Sequence, residues 1–286
     1  MPRLLAIGHV TRDLIQGSEV LGGSAVYGAL TARKLGWEAA VLTRAGADFD
    51  PERELPGVTV FLERSSATTK FRNDYDANGE RRQELAARAD DIELTPLADE
   101  WRDPDALLLA PVAGEIAGIG AAAFEAGVVG ALAQGWLRGF DRHGNVSPRA
   151  WQHPERDLLG VHALFVSERD LPQAASRARE LLAHVPVVVL TRGWQGLTLL
   201  TREGAQDVPG LPREEVDPTG AGDVFAAAFL LRYHESGDLQ EAAAFAACAA
   251  SCAVEAVGVS GLGDRPEVTR RLALRQRLID EGDWDE

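Results

Sequence analysis

A series of short, almost purely apolar runs recurs along the chain: Leu4–Ile7, Ala39–Thr43, ALLLAP (106–111), VVGAL (128–132), HALFVS (162–167) and VPVVVLT (185–191). Each is too short for a helix and lacks the polar alternation of a half-exposed strand. Runs of this kind are strands buried on both faces, which is the condition of strands in a parallel sheet. Between them lie stretches with helical spacing: LGGSAVYGALTARKLG (21–36), GIGAAAFEAG (118–127), LPQAASRARELLAHV (171–185), DVFAAAFLLRYHES (223–236), LQEAAAFAACAASCAVEAVG (239–258) and PEVTRRLALRQRLI (266–279). Gly36 fits the C-terminal stop of the first of these. Strand, helix, strand in alternation predicts a parallel α/β sheet. WQGLTLLTREGAQDVPG (194–210) predicts a hairpin near one sheet edge.

Residues 58–92 differ in texture. VTVFLER (58–64) and TTKFRNDYD (68–76) are rich in β-branched and aromatic residues, and Asn78-Gly79 is a good hairpin turn. The stretch predicts antiparallel strands projecting from the main sheet, joined by residues 10–20. No linker or repeat separates the halves, and 286 residues suffice for one large core. The expectation is a single domain over 1–286 with a β excursion.

The net charge is −15, the pI is about 4.9, and no basic run is visible, which argues against nucleic acid as a partner. No apolar stretch is long enough to span a membrane. The start, MPRLLAIGHV, lacks the h-region and cleavage site of a secretory signal. Cys248 and Cys252 lie four residues apart in an Ala-rich stretch and read as two small buried residues rather than half a metal site. A cytoplasmic protein is expected.

Residues 217–230, DPTGAGDVFAAAFL, carry the chemistry. Asp217 or Thr219 can cap the helix that follows, yet a cap alone leaves Gly-Ala-Gly before Asp223 unexplained. Unpaired N–H groups in a first helical turn attract an anion when no side chain blocks the approach. A carboxylate beside such an anion hole is what phosphoryl transfer to an alcohol needs, a base at the hydroxyl and donors where charge develops. Rival nucleotide motifs fit poorly, because GxxxxGK[ST] is absent and GAGDVF holds only the first two glycines of GxGxxG.

DPTGAGDVF resembles the C-terminal motif of the ribokinase/PfkB family of carbohydrate kinases, D-T-x-G-A-G-D. GGSAVYGALTARKLG is similar to that family's GG-x-x-x-N helix, and TRGWQG (191–196) to its T-x-G-x-x-G. Asp13 lies where these kinases keep an aspartate for substrate hydroxyls. The aromatic after GG-x-x-x, APVAGEI (110–116) and QGWLR (134–138) look more like the myo-inositol-kinase-like branch. The resemblance implies a three-layer α/β/α ribokinase-like fold with a small β lid from about 58–92 and 10–20, which in such kinases also serves homodimers.

It also implies roles. Asp223 would be the general base, with Gly220, Ala221 and Gly222 as the anion hole. Thr191, Gly193, Gly196, Ser167, Asp170, Thr219 and Ala247 would line the ATP site. Asp170 would organise water around Mg²⁺, and Asp217 could help hold a monovalent cation such as K⁺. Asp13, Gly22, Gly23, Tyr27 and Arg138 would face a small alcohol substrate: a sugar, polyol or nucleoside. Ser167 and Asp170 stand where the family has Asn and Glu in N-x-x-E, and Tyr27 replaces a substrate-side Asn. The altered pair motivates one alternative, a non-catalytic sugar- or nucleotide-binding protein that keeps the kinase fold.

Overall fold

The computed structural model describes residues 1–15, 17–75, 81–116 and 119–281. In chain order its strands are β1 (Arg3–Ile7), β2 (Thr11–Ile15), β3 (Ser18–Gly22), β4 (Glu38–Ala45), β5 (Thr59–Arg64), β6 (Thr69–Tyr75), β7 (Arg81–Ala87) and β8 (Ala106–Leu109). They continue with β9 (Val128–Leu132), β10 (Arg138–Phe140), β11 (Val146–Pro148), β12 (Ala163–Ser167), β13 (Val187–Thr191), β14 (Leu197–Leu200) and β15 (Ala205–Val208). The helices are α1 (Ser24–Lys34), α2 (Pro51–Glu54), α3 (Gln134–Leu137), α4 (Pro154–Asp157), α5 (Ala174–Leu181), α6 (Ala221–Ser236), α7 (Leu239–Ala253) and α8 (Arg265–Glu281).

The apolar runs assemble into a nine-stranded sheet of order β15-β14-β13-β12-β9-β8-β1-β4-β5. Pairing is parallel from β5 across to β13, and antiparallel only in the β13-β14-β15 edge. Every residue of β8 and β9 is buried, as expected of strands covered on both faces. One face carries α1, α6 and α7, where Phe225 and Phe229 meet Phe165 edge-on at 6.0 and 5.3 Å between ring centroids. The other face packs against Trp136, Leu158, Leu171 and Leu181. Val224 to Leu231 of α6 are all buried, because α1, α7 and the sheet enclose that helix on every side. The chain leaves β1 toward β4 on one side and later β8 on the other. Strand order therefore reverses at β1, and a crevice opens beyond the carboxyl ends of β1 and β8, where ligands of open α/β sheets bind.

A smaller four-stranded sheet, β3-β2-β6-β7, rises beside that crevice. The hairpin β10-β11 docks on its β7 edge, where the Leu85 amide donates to the Gly144 carbonyl at 2.8 Å. Two expectations change here. VTVFLER does not project with the small sheet: as β5 it pairs in parallel with β4 and forms the outer edge of the main sheet. Its β-branched texture suits an edge strand as well as a hairpin, so composition could not separate the two. GIGAAAFEAG does not form an α-helix; its described part holds only one 3₁₀ turn, Ala121–Ala123. Glycines at 118, 120 and 127 leave too short a stretch to offset the cost of nucleating a helix. The Asn78-Gly79 turn lies outside the described residues. Cys248 and Cys252 are both buried and unbridged on α7. No helix among the described residues is long and apolar enough to cross a membrane.

Candidate active site

Two helix N-termini meet at the crevice. Gly220 caps α6 with φ +80°, a left-handed conformation that favours glycine, so the chain turns sharply from Pro218-Thr219 into the helix. Asp217 braces the turn from outside, since its carboxylate accepts from the Thr219 amide and the Gly258 amide, each at 3.0 Å. Gly222 has a different reason to be glycine. Its backbone is helical and a Cβ there would meet nothing within 4 Å, so packing does not require it. Alanine would favour the helix by about 1 kcal/mol. Glycine leaves the amides of this first turn open to a ligand approaching from the crevice.

Asp223 follows in the first turn of α6. Burial raises its carboxyl to about pKa 7; the Ser24 hydroxyl and the Arg138 guanidinium pull it down, while the charges of Asp170 and Asp13 push it up. The same four side chains thus come from α1, β10, the loop after β12, and β2, and converge on one carboxyl. Ser24 is buried and is not among the residues expected from the sequence. Its signal was present in hindsight, because it is the first helical residue after Gly22-Gly23.

Asp13, buried on β2, accepts from the Thr11 hydroxyl at 3.1 Å. Gly22 must be small for this, since a Cβ there would stand 2.7 Å from the Asp13 carboxylate. Gly23, with φ +104°, lies so close to the His9 carbonyl that a Cβ would be 2.3 Å from it. Arg138 donates to the Val112 carbonyl at 3.4 Å, and its guanidinium lies 5.5 Å from the centre of the Phe71 ring, which the small sheet provides. Tyr27 differs from expectation. Its side chain is buried, with the ring against Gly220 rather than opening on the crevice.

The frame behind the site rests on Glu115, another residue the sequence analysis passed over within APVAGEI. Fully buried, its carboxylate accepts from the amides of His9, Val112 and Ala113 at 2.7–3.1 Å. It thereby joins the loops that follow β1 and β8.

Farther along the sheet, Ser167 and Thr191 end β12 and β13 side by side. The Asp170 amide donates to the Ser167 carbonyl at 3.0 Å, which curls that loop toward the α6 turn. Gly193 and Gly196 both have positive φ; a Cβ on Gly196 would stand 2.2 Å from the Val208 carbonyl, so the loop rests directly on the end of β15. Thr219 lies in the braced turn. Ala247 stands apart from these, because its methyl group packs into the core with α7. Among the described residues, no three His, Cys, Asp or Glu side chains gather in a way that could hold a metal ion.

Residues 129–264, just under half of the chain, match the pattern of the pfkB family carbohydrate kinases. A nucleoside kinase of Methanothermobacter thermautotrophicus is 36% identical over 90 residues, 31% of this chain and 29% of its own. A ribokinase of Bacillus subtilis is 38% identical over 96 residues, 33% of each chain. The matches thus span about a third of these relatives' length. Among solved structures, a pyrophosphate-dependent kinase in the ribokinase family, complexed with a pyrophosphate analog and myo-inositol, superposes with TM-score 0.74 at 20% identity, over 93% of this chain and 99% of its own. A ribokinase from Thermotoga maritima gives TM-score 0.71 at 21% identity over 94% and 99%.

Proposed function

We propose that this chain, whose fold is ribokinase-like and whose residues 129–264 match the pfkB carbohydrate kinases, is an ATP-dependent kinase of a small alcohol. The acceptor would be a sugar, an inositol-like polyol or a nucleoside. One observation carries the reading: the Asp223 carboxyl, raised to about 7, stands in the same helical turn as the exposed Gly222. A base with its pKa near the working pH serves proton removal well.

Asp223 takes the proton of the acceptor hydroxyl as that oxygen attacks the γ-phosphorus of ATP. The P–O bond to the leaving ADP breaks as the new P–O bond forms. The amides of Gly220, Ala221 and Gly222 receive the charge on the transferred phosphoryl group. Asp13 and Arg138 hold the other groups of the acceptor, Arg138 fixed by Phe71 and the Val112 carbonyl. Gly22 and Gly23 let the chain pass close behind Asp13. Ser167, Thr191, Gly193 and Gly196 line the donor side with Thr219, and the backbone around Ala247 borders the base. The small sheet is the lid over the acceptor, and a face of it could join two copies.

A magnesium ion that arrives with the donor phosphates would meet this chain mainly through Asp170. Such an ion would offset phosphate charge. A monovalent cation at Asp217 would share a carboxylate that already accepts two amides.

A coupled assay over polyols, sugars and nucleosides, with ATP and with pyrophosphate as donors, tests the reading. Turnover of at least one acceptor with ATP is expected, and Asp223→Ala should abolish it while sparing ATP binding. Ligand binding without turnover for every pair would favour a non-catalytic binding protein.

A further inference from the structure

We infer that Tyr27 is a positioning residue: its ring is the platform that holds the Gly220 turn, and with it the anion-binding amides, in register with Asp223. The inference rests on the kinase reading for its consequence, but its geometry stands on its own. Tyr27 lies on α1, which packs along α6, and only 2% of it is exposed. A Cβ on Gly220 would meet three consecutive ring carbons of Tyr27, at 2.3, 2.4 and 2.6 Å. The ring therefore lies directly against the glycine backbone with no space between. The Tyr27 hydroxyl points toward Gly258, the residue whose amide braces Asp217 from the other side.

Ser24 stands one helical turn before Tyr27 and on the same face of α1. Its hydroxyl acts on Asp223 at the far end of the same turn, lowering that carboxyl's pKa. Helix α1 thus grips the Gly220–Asp223 segment at both ends, by a ring at its start and a hydroxyl at its end. Gly220 holds a left-handed conformation that nothing in its own side chain can fix. A rigid neighbour must fix it, and an aromatic ring with two soft torsions is well suited to that.

This role differs from contact with the acceptor, and the two predict different kinetics. A platform affects the placement of transition-state donors, so its loss lowers kcat, whereas an acceptor contact affects KM. Tyr27→Leu should lower kcat about tenfold or more with acceptor KM within about twofold, since small misplacements of catalytic donors are costly. Tyr27→Phe keeps the ring and should stay within about twofold of wild type in both. Binding of inorganic phosphate, measured by calorimetry on the same proteins, should weaken about fivefold or more in Tyr27→Leu and little in Tyr27→Phe. If Tyr27→Leu does not fold, Tyr27→His carries the test, its smaller ring leaving Gly220 partly unsupported. A rise in KM with kcat unchanged would overturn the platform and make Tyr27 an acceptor contact. Wild-type kcat and phosphate affinity in folded Tyr27→Leu would also overturn it while leaving the kinase reading intact. If wild type turns over no acceptor yet binds phosphate in this ring-dependent way, the kinase reading fails and the platform stands. If wild type turns over no acceptor and binds no phosphate, both fall.

Discussion

The Ser24 hydroxyl lowers the pKa of the Asp223 carboxyl across the junction of α1 and α6, so the first residue of one helix tunes the proton affinity of the first turn of the other. A hydrogen bond to the ionised form lowers a carboxyl's pKa, and here it opposes the rise that burial causes. Ser24→Ala removes that hydroxyl and keeps the helix. The acid limb of the kcat/KM profile, expected near pH 7 in wild type, should then move upward by about one pH unit. Activity at high pH should change little. Coupled assays from acid to alkaline buffers check this, and an unmoved acid limb would remove Ser24 from the tuning of the base.

Asp223→Asn should raise stability while abolishing turnover. The sign follows from the raised carboxyl: in the folded chain it titrates at about 7, against an ordinary value of 3.8. Between those values the folded state binds the proton more tightly, so stability falls as pH rises, and the whole cost is present above about 7. The cost at alkaline pH is about 2–4 kcal/mol. Asparagine carries no charge and avoids it. Thermal melts should show a higher Tm for Asp223→Asn at about pH 8 and nearly equal Tm values at about pH 4.

Legibility followed the range of the interactions. Strands buried on both faces announce themselves locally, so β1, β8, β9, β12 and β13 could be read from runs such as ALLLAP and VPVVVLT. The GAGD turn was equally legible, because left-handed backbone and open amides require small residues in sequence. Ser24, Tyr27 and Glu115 were read poorly or passed over, because their partners lie far away. Ser24 and Tyr27 serve a turn from the opposite end of the chain, and Glu115 looks like any loop acid until the His9 amide arrives from β1. VTVFLER failed differently, since its pattern suits both a projecting hairpin and a sheet edge, and only the pairing with β4 decides.

Glu115 should prove a determinant of stability rather than of chemistry. Its carboxylate satisfies three buried amides, and removing it leaves them without an acceptor. Glu115→Ala should cost about 3 kcal/mol or more, read as a lower denaturant midpoint. Glu115→Gln retains one acceptor oxygen but turns a donor toward amides that are themselves donors, and should fall between alanine and wild type. Activity measured well below the transition should survive in the glutamine variant with altered KM, because the loops after β1 and β8 frame the acceptor side.

His9 should give the fold an acid-sensitive joint at the root of the small sheet. Its ring is fully buried, bonded to the Asp90 carbonyl at 2.9 Å and to the Thr69 hydroxyl at 2.8 Å, and Thr69 also accepts the Ala89 amide. The ring therefore ties the loop after β1 to β6 and to the segment after β7. Burial lowers its pKa below 6.5, opposed by Glu115 and the Asp90 carbonyl, while Arg88 reinforces the lowering. The unfolded chain takes up the proton first, so stability is lost as pH falls below 6.5 toward the lower folded value. Cleavage of the small sheet by a protease should accelerate between about pH 7 and about pH 5 in wild type. His9→Gln cannot titrate, and its cleavage rate should change far less across that range. Equal pH dependence in the two proteins would place the acid-sensitive joint elsewhere.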